Sequence, residues 1–214
     1  MSPRKDMKSI LREAYAHPDR KAFYYTVNGA ETASPLLNAR SRWDWTPAIT
    51  RNVEKSNTAL FPLALGCPRK MIDQDKEWFE PIIHSAADAE RFQPPEVCSG
   101  RTGEVLANIA RMRRDLPPGE LIRNPDIQSP LGIAELIWDG SFYIAMVEEP
   151  ASVHRLLERI TDFVIAFVRA AAAAAGDRYN PCGFPGIWAE GPGTMLADDT
   201  MSLISPEMHL EFSV

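Results

Sequence analysis

The chain has 214 residues, 45% of them hydrophobic and 24% charged, with a formal net charge of −6. That composition suits a soluble globular protein of one large or two small domains, and the acidic balance leaves no electrostatic footprint for nucleic acid. Three dispersed cysteines, Cys67, Cys98 and Cys182, form no CxxC pair, which excludes a zinc ribbon and a disulfide scaffold and points to a reducing cytoplasm.

No apolar run follows the first residues, so no signal peptide is expected, and the longest apolar run, around Ala170 to Ala175, is too short for a membrane span. Met7 to Ala16 reads as a short amphipathic helix closed near His17-Pro18. Lys21 to Val27 is aromatic and β-branched and predicts a strand turning at Asn28-Gly29. Residues 34–57 carry no clean period; Trp43 and Trp45 around Asp44 fit strand or loop. Thr58 to Leu65 is an apolar run, a buried strand or a short helix, ended by Gly66-Cys67-Pro68. Asp88 to Phe92 with Pro94-Pro95 reads as a turn-rich link. Val105, Leu106, Ile109 and Met112 recur at helical spacing over Glu104 to Leu116, and Pro117-Pro118-Gly119 stops that helix.

Leu121-Ile122 begins a short strand and Asn124-Pro125-Asp126 a loop. Pro130 to Trp138 reads as a helix closed by Asp139-Gly140. The clearest helix runs from about Pro150 to Ala175, with Val153, Leu156, Leu157, Ile160, Val164, Phe167 and Val168 as its apolar stripe and Gly176 as its C-cap. Tyr179 to Cys182 is a further strand candidate, with Ile187-Trp188 in it or in the loop beyond. Ser205-Pro206-Glu207 carries an N-cap, a proline at the first helical position and an acidic first turn, so a last helix starts there. The alternation of strand and helix signals predicts an α/β fold with parallel strands.

Several residues suit chemistry and each also has a plain structural role. Asp198 and Asp199 offer a general base or substrate contacts, or are two carboxylates favoured near a helix start. Asp126 suits a binding loop or an Asx-turn. Trp188, among Gly186 and Gly191, suits a pocket wall. The loop containing Gly183, Gly186, Gly191 and Gly193 lacks the spacing of a phosphate fingerprint. His84 and His154 have no ligand-spaced partner and read as surface or interface residues, and Cys182 reads as a pocket thiol or a small buried side chain.

The second half resembles the uroporphyrinogen decarboxylase family. The resemblance rests on an ordered series: Ser129-Pro130-Leu131-Gly132-Ile133-Ala134 through Asp139-Gly140, then Glu149-Pro150-Ala151-Ser152-Val153-His154-Arg155-Leu156-Leu157, the alanine-rich helix with Gly176-Asp177, and Leu203-Ile204-Ser205-Pro206-Glu207-Met208 with Phe212. A weaker match runs from Leu60 to Gly66 and on through Trp78, Pro81-Ile82 and Ala87-Asp88. The resemblance implies a (β/α)₈ barrel, of which a chain this long supplies about the first half. Residues 1–56 are then an N-terminal helical or irregular extension with the first barrel elements, and residues 57–214 a barrel segment that stops within the architecture. It implies a small-molecule substrate, tetrapyrrole-like or a related polycarboxylate, decarboxylated at its acetate arms without a cofactor.

By this resemblance Asp198 and Asp199 are catalytic candidates at the end of the fourth barrel strand. Asn57, Asp126 and Trp188 are substrate-binding candidates, and no metal ligand is assigned. Asn57 stands where the family has an aspartate that holds the pyrrole nitrogens, Leu136 where it has a tyrosine, and the family's N-terminal arginine signature has only a faint echo in Arg40-Ser41-Arg42-Trp43. The expectation is therefore that this chain alone does not turn over uroporphyrinogen. Two alternatives stand beside it. One is the methyltransferase branch of the superfamily, which uses zinc, a corrinoid partner and a methylated compound; the chain has no His-x-Cys motif of that kind. The other is a non-catalytic half-barrel that associates with itself or a partner. A homo-oligomer is expected on either reading, since a half-barrel exposes strand edges and apolar side chains such as Leu203, Ile204, Met208 and Phe212. Neither nucleic acid nor membrane is expected as a partner.

Overall fold

The structure is a computed structural model that describes residues 5–6, 27–28, 45–46, 49–53, 57–72, 77–181 and 193–213. Its strands are β1 (Lys5–Asp6), β2 (Val27–Asn28), β3 (Trp45–Thr46), β4 (Ile49–Arg51), β5 (Arg69–Met71), β6 (Glu77–Phe79), β7 (Leu121–Arg123) and β8 (Tyr179–Asn180). Its α-helices are α1 (Leu60–Ala64), α2 (Ala86–Arg91), α3 (Gly100–Asp115), α4 (Pro130–Ile137), α5 (Phe142–Glu148), α6 (Pro150–Ala175) and α7 (Pro206–Phe212). The chain divides into two compact units. One comprises Met1–Glu54, Asn108–Pro125 and Ala171–Met195, the other Lys55–Ala107, Asp126–Ala170 and Leu196–Val214. The expected helix over Met7 to Ala16, most of the expected strand before Val27, Cys182 and Ile187-Trp188 lie outside the described residues.

The first unit holds a four-stranded sheet in the order β2-β4-β7-β8, every pair parallel, as the alternation predicts. Consecutive Leu121 and Ile122 of β7 are both buried, the signature of a parallel strand covered on both faces. The register sets Thr50 against Leu121 and Ile122 against Tyr179. Arg51 grips Glu120 through two bonds, Nε to Oε2 at 2.6 Å and Nη2 to Oε1 at 2.9 Å, fastening β4 to the start of β7. Gly176 has φ +59° just past the end of α6, so the expected glycine cap is favoured by its left-handed conformation. β1 and β3 form a separate parallel pair.

The second unit is mainly helical. The stripe Val153, Leu156, Ile160, Val164 and Phe167 of α6 is buried as its period predicts. Phe61 of α1 meets Phe163 and Phe167 edge-on, at 6.3 and 5.4 Å between ring centroids. Thr58 to Leu65, open between strand and helix, is resolved as α1 with its turns. α4 and α7 begin at the expected caps: Ser129 Oγ accepts from Gly132 N–H and Ser205 Oγ from Met208 N–H.

Three elements depart from expectation. The turn-rich link contains α2: Ser85 accepts from Asp88 N–H, Ala89 is buried, and Arg159 collects the carbonyls of Ala89, Glu90 and Phe92 at the helix end. β5 and β6 form an antiparallel hairpin in addition to the expected parallel strands. Past Gly140 lies α5, which buries Phe142, Ala145 and Met146 at helical spacing.

Candidate functional site

In the second unit a short parallel ladder sets the site. Ala197 N–H donates to the Ile127 carbonyl at 2.8 Å and Ser129 N–H to the Ala197 carbonyl at 2.6 Å. This pairing brings residues 197–199 beside the entry to α4. Asp198 is there held by three donors: Ser129 Oγ to Oδ2 at 2.9 Å, and Thr200 N–H and Oγ1 to Oδ1 at 2.9 and 2.5 Å. Ser129 therefore serves two groups at once, capping α4 with its lone pair and binding Asp198 with its proton. Bonded through both oxygens, the Asp198 carboxyl is fixed in orientation.

Asp199 next to it is exposed, and its charge reaches two other carboxyl groups. Burial first, then the Asp199 charge, raises Asp126 above the usual carboxylate range. The same two causes in the same order raise Glu135, on α4. Tyr143, on α5, is raised by burial, then by Glu135 and Asp198. Its hydroxyl oxygen is buried and has no hydrogen-bond partner among the described residues. Asp126, Glu135, Tyr143, Asp198 and Asp199 thus share one electrostatic neighbourhood. It contains carboxyl groups inclined to hold protons, one locked carboxylate and one neutral phenol with a proton to donate.

Of the residues singled out by sequence, Asp126, Asp198 and Asp199 come together here. Asn57 is exposed and spends its side chain at the entry to α1, where Oδ1 accepts from Ala59 N–H at 3.2 Å. Trp188 lies outside the described residues. Leu136 is half-buried beside Glu135 on α4. Glu135 and Tyr143 were missed by sequence reasoning. Glu135 is the one acidic residue of an otherwise apolar α4, a signal available in the sequence, whereas Tyr143 joins the site only through packing.

Elsewhere in the unit, His84 Nδ1 lies 3.0 Å from Asp139 Oδ2. Bonds from the Ser141 hydroxyl and N–H, then His84, hold Asp139 down at about 2. His154 stacks on Phe212 at 4.7 Å and meets Glu211 at 3.2 Å, which docks α7 onto α6. Met201, Ile204, Pro206, His209 and Leu210 line a groove of about 420 Å³. Cys67 is buried, which pushes its thiol up to about 12. Among the described residues no three His, Cys, Asp or Glu side chains form a metal-ligating group, and no helix is long and apolar enough to cross a membrane.

A family model described as uroporphyrinogen decarboxylase (URO-D) matches residues 55–180. Among solved structures, a methyltransferase from Methanosarcina mazei is similar with a TM-score of 0.56 and 19% sequence identity, over 75% of this chain and 44% of that one. The chain thus spans less than half the length of that structure, and at this identity the likeness is one of fold. Together with the parallel sheet it makes the architecture α/β, part of a TIM-type barrel. No curated protein matches the chain.

Proposed function

Because the chain belongs to the uroporphyrinogen decarboxylase family, we propose that its lineage reaction is decarboxylation of the acetate arms of a porphyrinogen or a related polycarboxylate, in the cytoplasm and without a cofactor. The observation that supports this reading is the burial of Asp126 and Glu135 within reach of the Asp199 charge, which follows the Asp198 carboxyl bonded by Ser129. Loss of carbon dioxide from a pyrrole acetate begins with a proton added to a ring carbon. The electron pair of the breaking C–C bond then neutralises the ring cation as an exocyclic double bond, a second proton reaches the exocyclic carbon, and the first proton leaves the ring carbon, so that one proton is consumed for each carbon dioxide released. Asp126 and Glu135, with raised affinity for protons, are the candidate acids. Asp199 supplies negative charge to a developing cationic ring, and Asp198 positions it. Asn57 and Leu136 replace the charge and hydroxyl that the family resemblance implies, so this chain alone binds without turnover.

Titration of the purified chain with uroporphyrinogen, followed by tryptophan fluorescence, tests the reading. Saturable binding is expected, weakened by Asp199→Asn, with no coproporphyrinogen formed. Absence of binding refutes the substrate class, and measurable conversion refutes the inactivity.

A second reading, self-association, is favoured by Met201, Leu203 and Leu210, which are 55%, 65% and 68% exposed within one short stretch. Light scattering at micromolar concentration is expected to show a dimer or larger species that Leu203→Asp with Leu210→Asp dissociates; a monomeric parent chain refutes it. Methyl transfer would require zinc and a corrinoid partner. The described residues bring no group of three His, Cys, Asp or Glu side chains together that could hold a metal.

A further inference from the structure

At the C-terminal end of β7 the ladder continues one residue beyond the strand: Asn124 N–H donates to the Asn180 carbonyl at 2.9 Å. The Asn124 side chain is almost wholly enclosed, the residue being 3% exposed. Its Nδ2 donates to Thr194 Oγ1 at 2.6 Å. The Thr194 hydroxyl has the carbonyls of Pro181 and Met195 within reach of its own proton, at 3.3 and 3.2 Å. With that proton directed to a carbonyl, Thr194 receives Asn124 through a lone pair, and the amide orientation follows. Oδ1 is left on the other branch of the amide, buried, with no partner among the described residues.

Native proteins leave few buried acceptors without a donor, because such an oxygen has lost its water and gained nothing in return. Leu121 and Ile122, the buried residues just before it on the same strand, are apolar. An apolar side chain at 124 would avoid the cost. The position is also where this architecture gathers its ligand contacts, at the C-terminal ends of parallel strands.

We propose that Asn124 is a ligand contact whose side-chain carbonyl accepts a hydrogen bond from an N–H or O–H group of the bound molecule. The assignment does not depend on which reaction follows.

Two probes test it on the full chain: uroporphyrinogen, and pyrrole alone as a minimal N–H donor, with furan as the ring of similar shape that lacks the N–H. The readout is the Asn124 side-chain amide resonance, identified by its loss in Asn124→Ala. Pyrrole or uroporphyrinogen is expected to shift it saturably and furan to leave it in place. Asn124→Ala is expected to weaken the bound probe about tenfold, the scale of one hydrogen bond. Thr194→Val, which removes the internal bond but keeps the carbonyl, is expected to stay within about twofold of the parent. A response to pyrrole without one to uroporphyrinogen supports Asn124 as an acceptor and counts against the porphyrinogen reading. Binding of uroporphyrinogen that ignores Asn124→Ala overturns the assignment while leaving that reading intact. Equal loss in the two variants marks a structural side chain and overturns it, as does an amide resonance that neither probe moves.

Discussion

Ser129 joins the helix to the carboxylates, and removing its hydroxyl tests whether the site is held as the structure implies. Ser129→Ala deletes the N-cap of α4, worth about 1 kcal/mol, together with the bond to the Asp198 carboxylate. A hydrogen bond to a charged group contributes about 1.5–3 kcal/mol. The residue is buried, so water restores neither bond fully, and the expected loss is about 3 kcal/mol. That is a large fraction of a typical net stability of about 5–15 kcal/mol. Asp198→Ala removes three bonds at once and is expected to cost at least as much. Urea unfolding of both single variants and the double variant at neutral pH closes a double-mutant cycle. The double variant should be less destabilised than the sum by about 1.5–3 kcal/mol, the energy of the shared bond. Additivity to within about 0.5 kcal/mol would refute the claim that Ser129 fixes Asp198.

Asp126 and Glu135 both have folded-state pKa values raised above their unfolded ones, so their contribution to stability is present below about pH 4 and is lost as pH rises through the folded values. Asp126→Asn with Glu135→Gln should therefore be more stable than the parent at neutral pH, with the gap closing toward pH 4; a constant gap in pH-dependent urea unfolding would count against the effect of burial and the Asp199 charge on them. Asp139 behaves oppositely: held at about 2 against an ordinary 3.8, it supports the fold above the ordinary value, and this support is lost as pH falls toward 2. Asp139→Asn should flatten that acid limb, and an unchanged acid transition would show that the Ser141 and His84 bonds add nothing in solution. Phe61→Ala empties a buried ring site against Phe163 and Phe167 and should cost about 3–5 kcal/mol in thermal or urea unfolding, with a loss below about 1 kcal/mol refuting the packing.

Much of the helical framework could be read locally, because its signals lie within a few residues of one another. The seven-residue stripe of α6 fixes which face is buried wherever the helix docks, and Ser129-Pro130 and Ser205-Pro206 announce helix starts by satisfying the first free N–H groups themselves. The part of the ordered series from Ser129 to Gly176-Asp177 lies within the residues, 55–180, that the family model matches. Ser85 and Asp88 carried the same kind of signal for α2, obscured by the prolines that follow. What stayed illegible depends on partners distant in sequence. β4 is three residues long and is a strand through its pairing with β2 and β7. The β5–β6 hairpin has no strong turn dipeptide, and α5 is short enough that its apolar spacing passes for loop. The site divides the same way. Asp126, Asp198 and Asp199 stood out as carboxylates near element ends, while Asn57, equally conspicuous, is exposed and bonds the Ala59 N–H just before α1. The raised proton affinity of Asp126 and Glu135, the isolation of the Tyr143 hydroxyl and the enclosure of Asn124 are properties of burial and of charges brought together by folding. A sequence lists which groups can ionise or bond; only the tertiary structure decides which lose their water and which charge stands next to them, and these two quantities set the chemistry.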